Sequence, residues 1–274
     1  MAGRLYVVGT PIGNLSDMSE RAVKTLETVD FIAAEDTRVT LKLLNRFDIK
    51  KPLISYYEHN KNSHGQIIIE RLLKGEQCAL VTDAGMPAIS DPGEDLVRSC
   101  HEEGIEVISV PGPSAAVTAL ALSGISGGRF CFEGFLSVNK QNRKQHLDSL
   151  KNEQRTMIFY EAPHKLRATL EDMEKVFGDR KIALCRELTK IYEQTVVTTF
   201  SQATEYYAER QPKGEFVIVV SGAQPEQNGV QYTLDDAVKI AKDYMSDGMS
   251  ASSAAKEAAA DTGIKKRDIY ACLN

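Results

Sequence analysis

Residues 80–93 read LVTDAGMPAISDPG, in which an apolar run ends in a loop with two aspartates, two glycines and two prolines. Proline restricts the backbone, so this loop is too rigid for a linker, and it is also too polar for a core. The loops GTPIGNL (9–15) and PGPSA (111–115) share its composition and its position directly after a predicted strand. Because glycine allows a ligand to approach the backbone closely, three such loops indicate a binding site.

The segments on either side of these loops alternate short β-type runs with helical stretches. Over residues 1–125 this pattern predicts an α/β domain with a largely parallel sheet. One helix is predicted with Ser63 as its N-cap and Gly75 as its stop signal. Since the carboxyl ends of parallel strands share one edge, where ligands bind, we expect all three loops at that edge. The predicted strands are RLYVVG (4–9), VDFIAAE (29–35), PLISYY (52–57), CALVT (78–82) and IEVISV (105–110).

The pattern changes after SGISGGR (123–129), a glycine-rich joint. Strands now alternate with only a few helices, which predicts a second α/β domain with a mixed sheet. The segment AQPEQNGVQ (223–231) has the composition of a linker, and three short helical segments follow it. We therefore expect three domains, over residues 1–125, 126–223 and 230–274. The strands predicted in the second domain are FCFEGF (130–135), RTMIFYE (155–161), KIALCRE (181–187), YEQTVVTTF (192–200) and GEFVIVVSG (214–222).

The composition, with 42% apolar and 26% charged residues, is typical of a soluble globular protein and excludes disordered and collagen-like classes. Segment 1–14 holds only a short apolar run, and no stretch approaches the roughly 20 apolar residues of a membrane span, so a cytoplasmic protein is expected. The cysteines form no CxxC pair and are expected to be reduced, mostly buried thiols. A net charge of −5 argues against broad coating of nucleic acid but leaves a local basic surface open.

The identity of the ligand is left open by these residues alone. GTPIGNL has only part of the GxGxxG dinucleotide motif, and the GK[ST] of a P-loop is absent. Asp83 and Asp91 lack a third carboxylate or a histidine at ligand spacing, while His59 and His64 lie in a polar stretch. No resident metal ion is therefore predicted.

A series of short motifs occurs in one order along residues 4–221: GTPIGNL, AEDTR, SYYEHN, TDAGMPAISDPG, VPGPSA, EGF, FYEAPHK, RELTK and GEFVIVV. In this order and spacing they resemble the tetrapyrrole methylase superfamily, and within it the branch that acts on ribosomal RNA. The resemblance implies a homodimer with S-adenosyl-L-methionine bound in a cleft between two α/β domains. Carried over motif by motif, the implied cofactor-binding residues are Thr10, Pro11, Asp83, Gly85, Ala88, Ser114, Ala115, Tyr160, Arg186 and Glu215.

Methyl transfer from a sulfonium is an in-line displacement that mainly requires the acceptor to be held close, in line and dry. A ribose hydroxyl is a poor nucleophile, so a base or a strong hydrogen-bond acceptor is expected beside it. The catalytic candidates are the acidic residues at motif positions, Glu35 and Asp36 in AEDTR and Glu187 in RELTK. For each of them the alternative is a structural ion pair with the neighbouring Arg38 or Arg186.

Two basic segments are candidates for RNA contact. NKQNRKQH (139–146) has no acidic residue and is expected in an exposed loop, the alternative being a solvated helix start. In the tail, Ala259, Gly263 and Ile269 have the spacing of a helix-turn-helix, with a basic run at the start of its second helix. The alternative for the tail is a simple packing domain. The RNA-binding candidates are Arg38, Lys140, Arg143, Lys144, Lys265, Lys266 and Arg267.

These inferences lead to one expected function and two alternatives. The resemblance implies S-adenosylmethionine-dependent 2′-O-methylation of a cytidine in the decoding region of 16S rRNA, with that RNA or the small ribosomal subunit as partner and no membrane. The first alternative is C-methylation of a tetrapyrrole, against which the tail and the EDTR and EAPHK motifs argue. The second is a non-catalytic RNA-binding assembly protein, against which the intact cofactor loops argue.

Overall fold

The computed structural model describes residues 2–224 and 232–273. They belong to two compact units, Met1–Ala223 and Gln224–Asn274. Residues 225–231 of the predicted linker lie outside the described residues. No described helix has the length and apolar character needed to cross a membrane.

The first sheet has five parallel strands, β1 to β5, in the order β3-β2-β4-β1-β5, which confirms the parallel sheet predicted from residues 1–125. Val8 pairs with Val110, so neighbouring strands end together and their following loops leave the sheet at one edge. Leu5 and Leu80 are buried on one face and Val8 on the other, because helices cover both faces. The strands are β1 (Arg4–Val8), β2 (Phe31–Ala34), β3 (Leu53–Ser55), β4 (Cys78–Val81) and β5 (Glu106–Val110).

Four helices connect these strands: α1 (Glu20–Thr28), α2 (Thr37–Arg46), α3 (Lys61–Leu73) and α4 (Gly93–Glu102). Helix α3 begins at Lys61 with Asn60 in the cap position, so the prediction of Ser63 as N-cap is wrong. The physical reason lies in the preceding turn, which Asn60 closes by accepting a 2.8 Å hydrogen bond from the Tyr57 N–H. The predicted stop is confirmed, since the helix ends at Leu73 and Gly75 has a φ of +96°.

The second sheet is mixed, as predicted, with strands β6 to β10 in the order β6-β7-β10-β8-β9. Strands β6 and β7 are parallel and the other neighbours are antiparallel. Helices α6 (Lys140–Ser149), α7 (Leu166–Phe177) and α8 (Phe200–Ala208) cover one face, where Phe159 and Ile218 are fully buried. The strands are β6 (Phe130–Phe135), β7 (Thr156–Glu161), β8 (Lys181–Arg186), β9 (Gln194–Thr199) and β10 (Phe216–Val220).

Helix α5 (Ala115–Ser123) covers the opposite face of this second sheet. Its Ala119 packs in one cluster with Ile158 and Val219, although α5 follows β5 of the first sheet along the chain. Helix α5 thus links the two sheets along the chain and packs on the second. The predicted boundary at residues 125 and 126, which falls just after α5, stays a prediction.

The tail contains helices α9 (Leu234–Ser246), α10 (Ala251–Thr262) and α11 (Lys266–Ala271), as the three predicted helical segments require. Its small core consists largely of alanines, among them Ala241 and Ala255, which permit close approach of the helices. Gly263 ends α10 with a φ of +71°, and Ile269 of α11 is fully buried. The helical tail is therefore confirmed, and the helix-turn-helix stays a prediction that the positions of Gly263 and Ile269 support.

The cysteines are all free thiols, and Cys78, Cys100 and Cys185 are buried. Burial raises the pKa of Cys100 to about 12, so this thiol is not a nucleophile at neutral pH. Among residues 2–224 and 232–273, no group of three His, Cys, Asp or Glu side chains is arranged to hold a metal ion.

Candidate cofactor cleft

The loops that follow β1, β2, β4 and β5 lie opposite strand ends of the second sheet, and together they enclose a cleft of about 540 Å³. Apolar side chains from both sides, such as Ile12, Met86 and Phe135, line it. A few polar groups from the strand ends complete the lining. A concave, mostly apolar cavity with a few convergent polar groups is typical of a site for a small molecule.

The loop after β1 and the loop after β5, both of which contribute to the cleft, touch each other. A Cβ atom on Gly9 would lie 2.6 Å from the Cα of Gly112, so both positions require glycine. Thr10 is buried and exchanges backbone hydrogen bonds with Gly85, and its hydroxyl donates to the Thr82 carbonyl at 3.2 Å. Thr10 therefore holds two of the predicted cofactor loops together.

The loop 82–93 has a fixed internal structure. The Asp91 carboxylate accepts hydrogen bonds from the Ala88 N–H at 3.0 Å and from the Gly93 N–H at 2.8 Å. Ala88 and Ser90 have φ values of +65° and +66°, a region that costs non-glycine residues conformational energy. These bonds hold the strained backbone in place, which supports the rigidity that the sequence predicts.

Three carboxylates lie at the ends of β2 and β4. Asp83 lines the cleft and accepts a 3.1 Å hydrogen bond from the Asp36 N–H, while Glu35 lines the cleft and accepts one from the Thr82 hydroxyl at 2.5 Å. Burial, with the charges of Glu35 and Asp36, raises the pKa of Asp83 above its ordinary value. A negatively charged pocket of this kind favours a bound cation.

Asp36 is the third of these carboxylates, and its side chain is directed elsewhere. It caps α2 through the Arg38 N–H at 2.8 Å and forms an ion pair with the Arg38 guanidinium at 2.6 Å. The hydrogen bonds from Arg38 lower the pKa of Asp36 to about 2. Asp36 thus forms the ion pair that sequence analysis raised as the alternative for this residue.

The start of helix α5 opens into the cleft. Ser114 and Ala115 line it, and the Ser114 hydroxyl makes no capping bond to its own helix. The Tyr160 hydroxyl accepts a 3.1 Å hydrogen bond from the Ala116 N–H, and burial raises the pKa of Tyr160. A helix N-terminus with free N–H groups favours an anionic group such as a carboxylate.

On the side of the second sheet, Lys190 lies between two carboxylates. Its ammonium donates to Glu187 Oε1 at 2.9 Å and to Glu215 Oε2 at 2.8 Å. Glu187 also accepts a 2.9 Å bond from the Glu215 N–H, which is the main reason that its pKa is lowered. Lys190 and Glu215 line the cleft, whereas Glu187 supports them from behind.

The structure brings many of the predicted cofactor residues into one lining: Asp83, Gly85, Ser114, Ala115, Tyr160 and Glu215. Thr10, Pro11, Ala88 and Arg186 lie outside it, and Arg186 donates instead to the Lys213 carbonyl at 2.6 Å. Ile12, Thr82, Phe135 and Lys190 line the cleft without having been predicted. Each of them lies within a motif of the sequence analysis, so its place in that motif was the available signal.

The basic segment 139–146 forms the start of helix α6, capped by Asn139, so its prediction as an exposed loop is wrong. The physical reason is the asparagine cap, which satisfies the Gln141 and Asn142 N–H groups. Arg143 is held by Asp172 at 2.8 Å and by the Ser137 carbonyl at 3.2 Å. Lys140 and Lys144 remain exposed.

In the tail, Lys265, Lys266 and Arg267 are exposed at the start of α11. Lys266 donates to the Ser252 hydroxyl at 3.1 Å, and Arg267 contacts Asp268 at 3.2 Å. These weak surface contacts leave the basic run accessible. Arg38 is likewise exposed beyond its pair with Asp36.

The open parallel sheet and the second, mixed sheet define an α/β protein. Its cleft lies where proteins of this class bind small molecules. A family model described as "Tetrapyrrole (Corrin/Porphyrin) Methylases" matches residues 4–204. The chain therefore belongs to the tetrapyrrole methylase family. It is an S-adenosylmethionine-dependent methyltransferase, as the family and its similarity to named methyltransferases show.

Relatives are similar over nearly the whole chain. A protein of Halalkalibacterium halodurans named "Ribosomal RNA small subunit methyltransferase I" is 48% identical over 98% of this chain and 93% of its own length. A Thermotoga maritima protein of the same name is 48% identical over 222 residues, which is 81% of this chain and 100% of that protein. Uroporphyrin-III-C-methyltransferase from Thermus thermophilus, with 18% identity, covers 80% of this chain and 94% of its own with a TM-score of 0.57, which shows the fold alone.

The cleft fits S-adenosylmethionine on its own chemistry. The cofactor carries a sulfonium and an amino group, which suit the Asp83 carboxylate and the acidic character of the lining. It also carries a carboxylate, which suits the start of α5 with Ser114. Ile12 and Met86 offer apolar surface to its uncharged parts. When bound, this group supplies an electrophilic methyl group.

Proposed function

We propose that this protein transfers a methyl group to the 2′-hydroxyl of a cytidine in the decoding region of 16S rRNA. The observation that carries the proposal is the 48% identity to a small-subunit rRNA methyltransferase over 98% of the chain. The cleft supports it, because it offers a cofactor site beside a carboxylate that is able to accept a proton. A 2′-hydroxyl acceptor also restricts the substrate to RNA.

Within this proposal Glu35 accepts the proton of the ribose hydroxyl. Of the three acidic candidates, Glu35 lines the cleft, whereas Asp36 is paired with Arg38 and Glu187 with Lys190. The hydrogen bond from Thr82 holds the Glu35 carboxylate in place. Ile12 and Phe135 present apolar surface to the cleft, and a dry site would strengthen the positioning and electrostatic effects on which methyl transfer depends.

Asp83, Gly85, Ser114, Ala115, Tyr160 and Glu215 would hold the cofactor, with Thr10, Pro11, Ala88 and Arg186 supporting the loops and strand ends around them. The tail would hold RNA through Lys265, Lys266 and Arg267, with Arg38, Lys140 and Lys144 as further contacts and Arg143 as a structural support. The Thermotoga maritima relative aligns over its full length with 222 residues. That length is close to the length of the first unit, Met1–Ala223, which supports a tail that is accessory to the cleft.

We propose a cytoplasmic homodimer that acts on the small ribosomal subunit. Strand β9 is at the edge of the second sheet and exposes Val196 and Val197, next to the exposed Ile191 and Tyr192. An apolar sheet edge is typical of a surface that another chain covers. Sedimentation analysis of the purified protein tests the dimer, since a monomer would contradict it.

The test of the function maps 2′-O-methylation on 16S rRNA from cells that lack this protein. One unmethylated cytidine in the decoding region is expected, and its methylation should return when the purified protein and labelled S-adenosylmethionine are added. Assays on free 16S rRNA, on small subunits and on a uroporphyrinogen distinguish the substrates. Methylation of the tetrapyrrole alone would establish the first alternative, and cofactor binding without turnover on any RNA would favour the second.

A further inference from the structure

The residues that line the cleft carry a strong surplus of negative charge. Five acidic side chains are among them, Glu35, Asp83, Asp91, Glu161 and Glu215. Lys190 is the one lysine or arginine among the described residues of the lining. An acidic pocket attracts a cationic cofactor but repels a polyanion, so an RNA strand that enters the cleft requires a cation at its entrance.

Lys190 is located and oriented to be that cation. Its side chain is 30% exposed, and that of Glu215, one of its two partners, is 80% exposed. The ammonium has three N–H groups, of which Glu187 and Glu215 accept two. Burial alone would lower the pKa of Lys190, but the bonds to Glu215 and Glu187 raise it, so the group stays charged.

The two carboxylates differ in how firmly they hold Lys190. Glu187 is 19% exposed and is itself fixed by the Glu215 N–H. The exposed Glu215 carboxylate forms the kind of pair that solvent screens and that an incoming anion displaces readily. One partner thus anchors the ammonium while the other is exchangeable.

The turn that carries Lys190 is strained. Glu187 and Thr189 have φ values of +51° and +66°, and the Thr189 hydroxyl is buried without a hydrogen-bond partner. The turn is held by the Lys190 N–H, which donates to the Glu187 carbonyl at 3.0 Å. Opposite the turn, a Cβ on Gly13 would lie 2.5 Å from the Lys190 Cγ. The loop after β1 therefore leaves room for the Lys190 side chain only because residue 13 is glycine. Strain of this kind is concentrated where a side chain must be placed for function.

We propose that the Lys190 ammonium binds a phosphodiester oxygen of the nucleotide that is methylated, in place of the Glu215 carboxylate, with Glu187 as the residue that positions it. This inference rests on the proposed function. A lysine ammonium suits a phosphate as a compact point charge. The cofactor carboxylate is provided for elsewhere, at the start of helix α5 with Ser114.

The test replaces Lys190 by Met, which has similar length and no charge, and by Arg, which keeps the charge. Substrate binding is measured on small subunits that lack the modification, over a range of salt concentrations. For Lys190→Met we expect a KM for the subunit about tenfold higher and a log-affinity against log-salt slope smaller in magnitude by about 0.7, the value for one phosphate contact on a single strand. Lys190→Arg should keep the wild-type slope, and both should bind S-adenosylmethionine as the wild type does.

Lys175→Met is the matched control. Lys175 also pairs with an acidic residue three positions away, Asp172, but lies on α7 on the opposite face of the second sheet from α5. It should leave the slope unchanged. If Lys190→Met does not fold, Lys190→Gln replaces it.

Two results would overturn the inference: an unchanged salt slope in Lys190→Met, or a loss of cofactor affinity with the slope retained, which would place the ammonium on the cofactor. A wild-type protein that methylates no subunit would instead contradict the proposed function, before any variant is compared.

Discussion

The wall of the cleft that comes from the first sheet is built from backbone, whereas the wall from the second sheet is built from side chains. On the first wall, glycine- and proline-rich loops pack together at Gly9 and Gly112 and present the carboxylates of Glu35 and Asp83. On the second wall, Tyr160, Lys190 and Glu215 project from strand ends and from a strained turn. The difference teaches that the first wall suits a cofactor of constant shape. The second wall adds cofactor contacts at Tyr160 and Glu215, and at Lys190 an exchangeable contact for a substrate.

The largest expected effect comes from the first wall, in Glu35→Gln. If Glu35 accepts the ribose proton, turnover should fall by about 10²–10⁴-fold with cofactor affinity changed only a few-fold. Turnover on small subunits and calorimetry with S-adenosylmethionine measure the two quantities. Asp36→Ala is the control, because it removes the helix cap and the Arg38 ion pair without altering the lining. It should lower the melting temperature while turnover stays near the wild-type value.

Full activity in Glu35→Gln, together with a large loss of activity in Glu187→Gln, would place the proton acceptor on the second wall. The difference proposed between the two walls would then be wrong.

The next effect is on the cofactor, in Asp83→Asn. Loss of the negative charge and of one acceptor oxygen should weaken S-adenosylmethionine binding by about 1–3 kcal/mol. Because the folded-state pKa of Asp83 is raised, its ionised form destabilises the free protein at neutral pH, so the variant should melt at the same temperature or higher. In the wild type, cofactor affinity should fall as the pH is lowered through this raised pKa, at a pH above the ordinary value of 3.8.

Calorimetry at several pH values and a thermal melt measure these effects. Unchanged affinity in folded Asp83→Asn would remove Asp83 from the site.

A smaller effect is expected on the second wall, in Glu187→Gln. The amide would no longer hold the Lys190 ammonium by charge, so the KM for the subunit should rise several-fold while kcat changes less. The comparison is sharpened if Asp83→Asn alters cofactor affinity alone and Glu187→Gln alters substrate affinity alone. Loss of turnover by orders of magnitude with an unchanged KM would show instead that Glu187 takes part in proton removal.

The smallest effect is expected outside both walls, in the variant with Lys265, Lys266 and Arg267 all replaced by alanine. RNA affinity should fall, and the salt slope should lose somewhat under 1 unit for each phosphate contact removed. Cofactor affinity should not change, because none of the tail residues that the structure describes, 232–273, lines the cleft. A lower melting temperature with the wild-type slope would show that the tail is a packing domain, since surface charges alone rarely alter stability this way.

The first wall could be predicted from sequence to a large degree. The strands, their parallel arrangement and the loops after them were predicted from local periodicity and from glycine and proline. The effects of these residues on the backbone are local. Predictions from local sequence were wrong where the start of a helix depended on a neighbouring turn or cap. Asn60 rather than Ser63 precedes α3, because Asn60 also closes the Tyr57 turn, and 139–146 became a helix because of the Asn139 cap.

The second wall could not be predicted in the same way. The RELTK motif identified residues 186–190 as part of the site. The motif does not show that Glu187 supports Lys190 from behind, or that Glu215, 28 residues after Glu187, is the second carboxylate that contacts Lys190. Nor does the sequence show that α5 packs on the second sheet. Both features depend on which strands become neighbours.

The sequence by itself determined the α/β class, the family motifs, the rigid cofactor loops and the helical tail, because periodicity, capping and turn formation act over a few residues. The tertiary structure alone decided which acids face the cleft, which are held in ion pairs, and that Lys190 is the one lysine among the acids of the lining as far as the described residues go. The physical reason is that the charge and hydrogen bonding of a side chain depend on residues distant in sequence, which only the packing of the two sheets brings within contact distance.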